Sequence, residues 1–260
     1  MYFKNEKNAI EKICNSTELK EVEFEIMSIE KEELLKFNIN NFVQKLTIIY
    51  NHIENIFKNI IEKFPNVSEL FMTIALCGGG DIQKFIIEEN ENCKINKINI
   101  IIQESAFLRG IYITCGPFEK LEKFSLILNE NNKINLKDSI PLFYDECPII
   151  FKNLKFFEFK VIGFQNEFND DVTKNIFNNI DNMPNLESFS FHYSIEDSFP
   201  DYHNDHYNED AVKKLLKLKS IKVVFVEIYS KKNYYSKNEL KLLYPGINFN
   251  KFKIMKLPKV

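Results

Sequence analysis

Arginine is almost missing from this 260-residue chain: Arg109 is the only one, and the formal net charge is -3. Proteins that read phosphates and base edges present a basic stripe with guanidinium forks. A nucleic-acid role is therefore not expected, and the scattered lysines of the Asn/Lys-rich segments read as a solvated face. Long apolar runs are missing too. No window approaches the roughly 20 apolar residues of a membrane-spanning helix. The polar start Met1-Tyr2-Phe3-Lys4-Asn5-Glu6-Lys7, followed by a short Ile10/Ile13 helix, shows no apolar run of a secretory signal. The cysteines are few and odd in number: Cys14, Cys77, Cys93, Cys115 and Cys147 have no paired spacing. Reduced thiols in a cytoplasmic or nuclear chain are expected rather than a disulfide framework.

What the chain does contain is an apolar triplet in the spacing LxxLxL, repeated eight times. It reads Leu19/Val22/Phe24, Val43/Leu46/Ile48, Val67/Leu70/Met72, Ile95/Ile98/Ile100, Leu121/Phe124/Leu126, Leu154/Phe157/Phe159, Leu186/Phe189/Phe191 and Leu218/Ile221/Val223. Successive triplets start 24, 24, 28, 26, 33, 32 and 32 residues apart, a period that indicates a solenoid. A chain that is 45% apolar produces some triplets by chance, so two further patterns matter. The residues at places three and five of each triplet are polar except Phe71 and Phe156, as a strand with one buried face requires. An apolar residue also precedes the triplet by three places in Phe64-Pro65-Asn66-Val67, Phe118-Glu119-Lys120-Leu121, Phe151-Lys152-Asn153-Leu154, Met183-Pro184-Asn185-Leu186 and Leu215-Leu216-Lys217-Leu218.

Between the strands the period becomes helical. Ile53, Ile56, Phe57, Ile60, Ile61 and Phe64 make one stripe, and Val172, Ile176, Phe177, Ile180 and Met183 make another. Asp81 is placed to cap a helix carrying Ile82, Phe85 and Ile86, and Asp210 one carrying Val212, Leu215 and Leu216. Ser236-Lys237-Asn238-Glu239 has capping-box spacing ahead of Leu240 and Leu243. Pro65 and Pro184 stop their helices just before a strand. Residues 104–118 and 129–151, which hold Gly110, Gly116, Pro117, Pro141 and Pro148, are expected to form short or broken helices. Ile247 to Ile254 reads as a terminal strand, with Lys251, Lys253 and Lys256 to discourage edge pairing.

Parallel strands sit about 4.8 Å apart and packed helices about 8 to 10 Å, so one strand and one helix per repeat bend the sheet inward. The expected fold is an α/β solenoid of about eight to nine repeats, with a curved parallel sheet on the concave side and helices on the convex side. No repeat buries its own faces alone, so residues 1–260 read as a single domain: a cap helix over 1–18, repeats over 19–235, and a helix and strand over 236–260.

This pattern resembles the leucine-rich-repeat superfamily, and the long uneven period resembles its ribonuclease-inhibitor-like branch, including the arrays of F-box proteins. The family pattern continues LxxLxLxxN; the ninth place here is Asn51 and Asn129 in two repeats, and Met27, Ala75, Gln103, Ile162, Ser194 and Val226 in the others. The resemblance implies a non-catalytic module that binds a protein or peptide on its concave face. An alternative that it suggests is a substrate receptor of a ubiquitin ligase. Only 18 residues precede Leu19, so a ligase adaptor would have to dock elsewhere than on an F-box segment ahead of the repeats.

Three sets of residues are candidates for chemistry. Cys77-Gly78-Gly79-Gly80-Asp81 lacks the lysine and spacing of a phosphate loop, and no histidine lies in its repeat, so it reads as a turn. Asp201, His203, Asp205 and His206, in the polar stretch 196–210, are N/O donors of the kind that hold zinc. The ordinary reading is a solvated insertion, so no metal or cofactor is assigned. A metal-dependent hydrolase built on these four is a distant alternative. The third set is the concave face, where place seven runs Glu25, Ile49, Thr73, Ile101, Ile127, Lys160, His192, Val224. Ile49, Ile101 and Ile127, with Phe71 and Phe156, predict an apolar strip for a protein partner, and Glu21, Glu23 and Glu25 predict an acidic edge that prefers a basic segment.

Overall fold

The computed structural model describes residues 2–4, 12, 15–26, 38–50, 62–76, 83–87, 94–104, 111–115, 120–130, 152–164, 176, 179–195, 209–228 and 233–257. Its strands are β1 (Tyr2–Lys4), β2 (Glu21–Ile26), β3 (Lys45–Tyr50), β4 (Glu69–Leu76), β5 (Gln83–Ile87), β6 (Lys97–Glu104), β7 (Ile111–Cys115), β8 (Lys123–Glu130), β9 (Phe156–Phe164), β10 (Ser188–Ile195), β11 (Val223–Ile228) and β12 (Ile254–Lys256). Ten of them form one sheet in the order β1-β2-β3-β4-β6-β8-β9-β10-β11-β12, with every neighbouring pair parallel. Parallel strands need a crossover between them, which is what the 24- to 35-residue spacing supplies.

Seven strands, β3, β4, β6, β8, β9, β10 and β11, enter the sheet by the same backbone device. One carbonyl of the preceding repeat accepts from two consecutive N–H groups: Lys20 from Gln44 and Lys45, Gln44 from Ser68 and Glu69, Ser68 from Asn96 and Lys97. The series continues with Asn96 from Glu122 and Lys123, Glu122 from Lys155 and Phe156, Lys155 from Glu187 and Ser188, and Glu187 from Lys222 and Val223. These forks define equivalent positions independently of side-chain chemistry. They confirm the triplets up to Leu186/Phe189/Phe191 and move the eighth. Glu187 is matched to Lys222, so the eighth triplet is Ile221/Val224/Val226, 35 residues beyond Leu186, rather than Leu218/Ile221/Val223. Burial agrees: Val224 and Val226 are fully buried, whereas Val223 is only half-buried. Val224 is therefore a core residue and Glu227 holds place seven.

With this register, all 21 triplet residues of repeats two to eight are at most 3% exposed. The core is one continuous slab behind the sheet. In its fifth to seventh layers it is aromatic: Phe124, Phe157 and Phe189 stack at centroid distances of 6.1 and 5.5 Å, and Phe159 stacks on Phe191 at 5.6 Å. A ninth unit follows, Phe252/Met255/Leu257, with Leu257 buried.

The turns before the strands are tied by asparagine. Asn66 Nδ2 donates to the Asn41 carbonyl at 2.7 Å, and Asn185 Nδ2 to that of Lys152 at 2.9 Å. In the second repeat Asn40 stands where other repeats have the apolar lead-in residue. It is 2% exposed, donates to the Ser16 carbonyl, and its Oδ1 accepts from the N–H groups of Phe42 and Val43. A buried amide is tolerated there because its polar atoms are bonded.

The other layer is only partly helical among the described residues. Helix α1 (Glu209–Lys217) buries Val212, Leu215 and Leu216 as expected, with Asp210 inside its first turn rather than at the cap. Helix α2 (Lys237–Leu243) starts at the predicted capping box: Glu239 N–H donates to Ser236 Oγ at 3.3 Å, and Ser236 N–H to Glu239 Oε2 at 2.7 Å. Residues 62–63 are helical and end before Pro65, and a 3-10 turn at Asn179–Asn182 ends before Pro184. Phe85 and Ile86, expected on a helix, lie in a strand, while Asp81 and Ile82 are outside the described residues. Gln83–Ile87 is β5, paired in parallel with β7 in a second, two-stranded sheet. Three apolar residues over five positions cannot set a helical period, and the β-branched and aromatic run Ile111-Tyr112-Ile113-Thr114 offers a strand partner. Strand β7 lies within 104–118, where broken helices were expected. The terminal strand is β12, later than Ile247 to Ile254, and a 3-10 turn at Phe249–Lys251 precedes it. At the other end, β1 adds a strand ahead of the first triplet.

Candidate binding face

Pairing aligns places three, five and seven into three rows across the face of the sheet opposite the core, called here the open face. Place three runs Glu21, Lys45, Glu69, Lys97, Lys123, Phe156, Ser188, Val223, Ile254. Place five runs Glu23, Thr47, Phe71, Asn99, Ser125, Glu158, Ser190, Phe225, Lys256, and place seven runs Glu25, Ile49, Thr73, Ile101, Ile127, Lys160, His192, Glu227.

The predicted site residues divide accordingly. Ile49, Ile101 and Ile127 fall in one row, interrupted by Thr73, and each is half-buried. Phe71 stands in the adjoining row beside Asn99, with Lys45 Nζ 5.4 Å from its ring centroid. Asn99 Oδ1 is buried without a hydrogen-bond partner. Phe156 is not part of this strip. It lies in the place-three row, under Lys123 Nζ at 4.6 Å, and across β9 from the isoleucines. Glu21 and Glu23 face the same side of β2; Glu21 pairs with Lys45 at 3.3 Å, and Glu25 occupies the same strand at place seven. Asp201, His203, Asp205 and His206 lie outside the described residues, as does Cys77 to Asp81. Among the described residues no three His, Cys, Asp or Glu side chains gather as a metal site, and no helix is long and apolar enough to cross a membrane.

The opposite end of the open face carries a cluster that the triplet pattern did not reveal. Glu227, 14% exposed, is its hub: Lys256 Nζ bonds Oε1, Tyr234 Oη donates to Oε1 at 3.3 Å, and His192 Nδ1 lies 2.8 Å from Oε2. Desolvation alone would raise the Glu227 carboxyl, but the Lys256 hydrogen bond and charge, with His192 and Tyr234, outweigh it and hold it below the usual carboxylate range. Burial lowers the His192 imidazole, reinforced by the charges of Lys160 and Lys256 and opposed by Glu227. A neutral ring facing a carboxylate must place its proton on Nδ1, since the carboxylate only accepts. Burial raises the Tyr234 phenol, and the bond to Glu227 raises the Lys256 ammonium. Phe225 completes the group: His192 stacks parallel to it at 6.5 Å, and Lys256 Nζ lies 5.1 Å from its centroid and 4.3 Å from that of Tyr234.

Of these residues the sequence pattern put only His192 on the face. The signal for Phe225 and Glu227 was present in the competing triplet Ile221/Val224/Val226, which turns both outward. Comparison with protein-family models, characterised proteins and solved structures gave no match.

Proposed function

We propose that this chain is a leucine-rich-repeat module of the ribonuclease-inhibitor-like kind, with helices on its convex side, and that it acts without catalysis by binding a protein or peptide on the open, concave face. The observation that carries the reading is the row Ile49, Ile101 and Ile127 with Phe71 beside it. Four apolar side chains stand together, half-buried, on strands β3 to β8, where the other described residues of the open face are polar, and such strips favour protein partners. Glu21 and Glu23 at the β2 end favour a partner with basic residues.

The test is the double substitution Phe71→Glu with Ile101→Glu. Both side chains are partly solvent-facing, so the circular dichroism spectrum should be unchanged. Partners captured by the unaltered chain in affinity purification should be absent from the variant's eluate. Recovery of the same partners from a folded double variant would overturn the reading.

A further inference from the structure

Lys256 has the surroundings of a bound ligand. Its ammonium lies between two aromatic faces, Phe225 and Tyr234, both within the roughly 6 Å at which a ring attracts a cation. The Glu227 carboxylate closes the site, held in place by His192 and by the Tyr234 hydroxyl. Two aromatic walls and an oriented carboxylate are the elements that recognise an ammonium group. The site opens on the same face as the apolar strip, and Lys256 is itself 32% exposed.

The backbone beneath it does not depend on that lysine. Strand β12 pairs with β11 from Ile254 to Lys256, Lys253 N–H donates to the Lys222 carbonyl at 2.7 Å, and Tyr235 N–H donates to the Leu257 carbonyl at 3.0 Å. Leu257 is fully buried. The flexible four-carbon stem of Lys256 can therefore swing into solvent with β12 in place.

We propose that Phe225, Tyr234 and Glu227 form a cage for the lysine ammonium of an extended basic peptide, and that Lys256 fills this cage in cis until such a peptide displaces it. Glu23 at the far end of the face has the charge to suit the same partner, while Glu21 is engaged by Lys45. The proposal rests on the open face being a binding surface, and it adds what that surface selects.

The experiment titrates a labelled hexapeptide reproducing residues 252–257 into the unaltered chain and into Lys256→Ala, alongside the same peptide with glutamine for its second lysine. Vacating the cage should tighten the lysine peptide by at least about tenfold, and the glutamine peptide should bind about tenfold more weakly than the lysine one. Adding Glu227→Gln to Lys256→Ala should erase that discrimination. Equal affinity for the unaltered chain and Lys256→Ala, or no discrimination between the peptides, would leave Lys256 as a fastening of β12 and overturn the proposal. If Lys256→Ala loses β12, as read by circular dichroism, Lys256→Thr favours the strand with a side chain too short to fill the cage, and the same two outcomes apply to it. The Phe71→Glu, Ile101→Glu variant spares the cage. Partner capture lost in that variant, with no peptide bound by Lys256→Ala, would sink the cage and leave the strip standing.

Discussion

The two halves of the sheet have the same core architecture and different surfaces. From β2 to β8 the repeats are 24 to 28 residues apart, the core columns are largely aliphatic, and the open face carries simple cross-strand ion pairs, Lys45 with Glu21 and Lys97 with Glu69. From β9 to β12 the spacing lengthens to 31 to 35 residues, phenylalanines stack through the core, and Glu227 gathers Lys256, His192 and Tyr234. Glu21 is 68% exposed and Glu227 only 14%. An exposed pair is screened by water and contributes little, whereas a desolvated carboxylate must be bonded and so fixes the groups around it. The first half thus offers apolar area for a partner, and the second offers directional chemistry.

The comparison holds only if the core beneath is one cooperative unit. Phe189 is fully buried and stacked on Phe157, and Leu70 occupies the same column in the first half, also fully buried. Phe189→Asp would leave a carboxylate in the core without a partner. It should destabilise the chain by at least about 4 kcal/mol in urea denaturation, and Leu70→Asp by a similar amount. A loss confined to part of the unfolding transition would show that the two halves unfold separately.

How far the sequence was legible depends on the same alternation. Up to Phe191 the triplets are readable because polar residues separate the apolar ones, so only one register buries every layer. At the eighth repeat that condition fails. Leu215, Leu218, Ile221 and Val224 recur every third place, and Val223 to Val226 is an unbroken apolar run, so two registers satisfy the pattern. The fork on the Glu187 carbonyl selects between them, and backbone pairing leaves no mark in side-chain polarity. The isoleucine strip was visible because it lies wholly within the readable repeats. The Glu227 cluster was not, because His192, Glu227, Tyr234 and Lys256 meet only once the last two strands are in register. Phe156 was rightly placed on the open face and wrongly joined to the strip, since place three and place seven are four residues apart along a strand.

The His192–Glu227 cluster of the second half should make stability respond to acid. The His192 imidazole is held below its ordinary 6.5 by burial first, and by Lys160 and Lys256. Between its folded value and 6.5 the unfolded chain binds more protons at this residue, so stability rises with pH across that window and is lost as pH falls below 6.5. Glu227, held below its ordinary 4.5, adds a further loss only at lower pH, as pH falls from 4.5 through its folded value. The urea midpoint should therefore drop from about pH 7.5 to about pH 5, and His192→Gln should flatten that drop because glutamine donates to Glu227 without titrating. An unchanged slope in His192→Gln would place the acid response elsewhere in the chain.

The smallest effect belongs to the first half. Lys45 Nζ and Glu21 Oε2 are 3.3 Å apart, yet the side chains are 37% and 68% exposed, and Lys45 also approaches the Phe71 ring. A double-mutant cycle with Lys45→Ala and Glu21→Ala should return a coupling of at most about 0.5 kcal/mol, shrinking further in high salt. The single Lys45→Ala loss should slightly exceed that of Glu21→Ala, because the lysine also covers the aromatic ring. A coupling above about 1 kcal/mol would mean that this pair is as desolvated as the Glu227 cluster, and the distinction drawn between the two halves would fail.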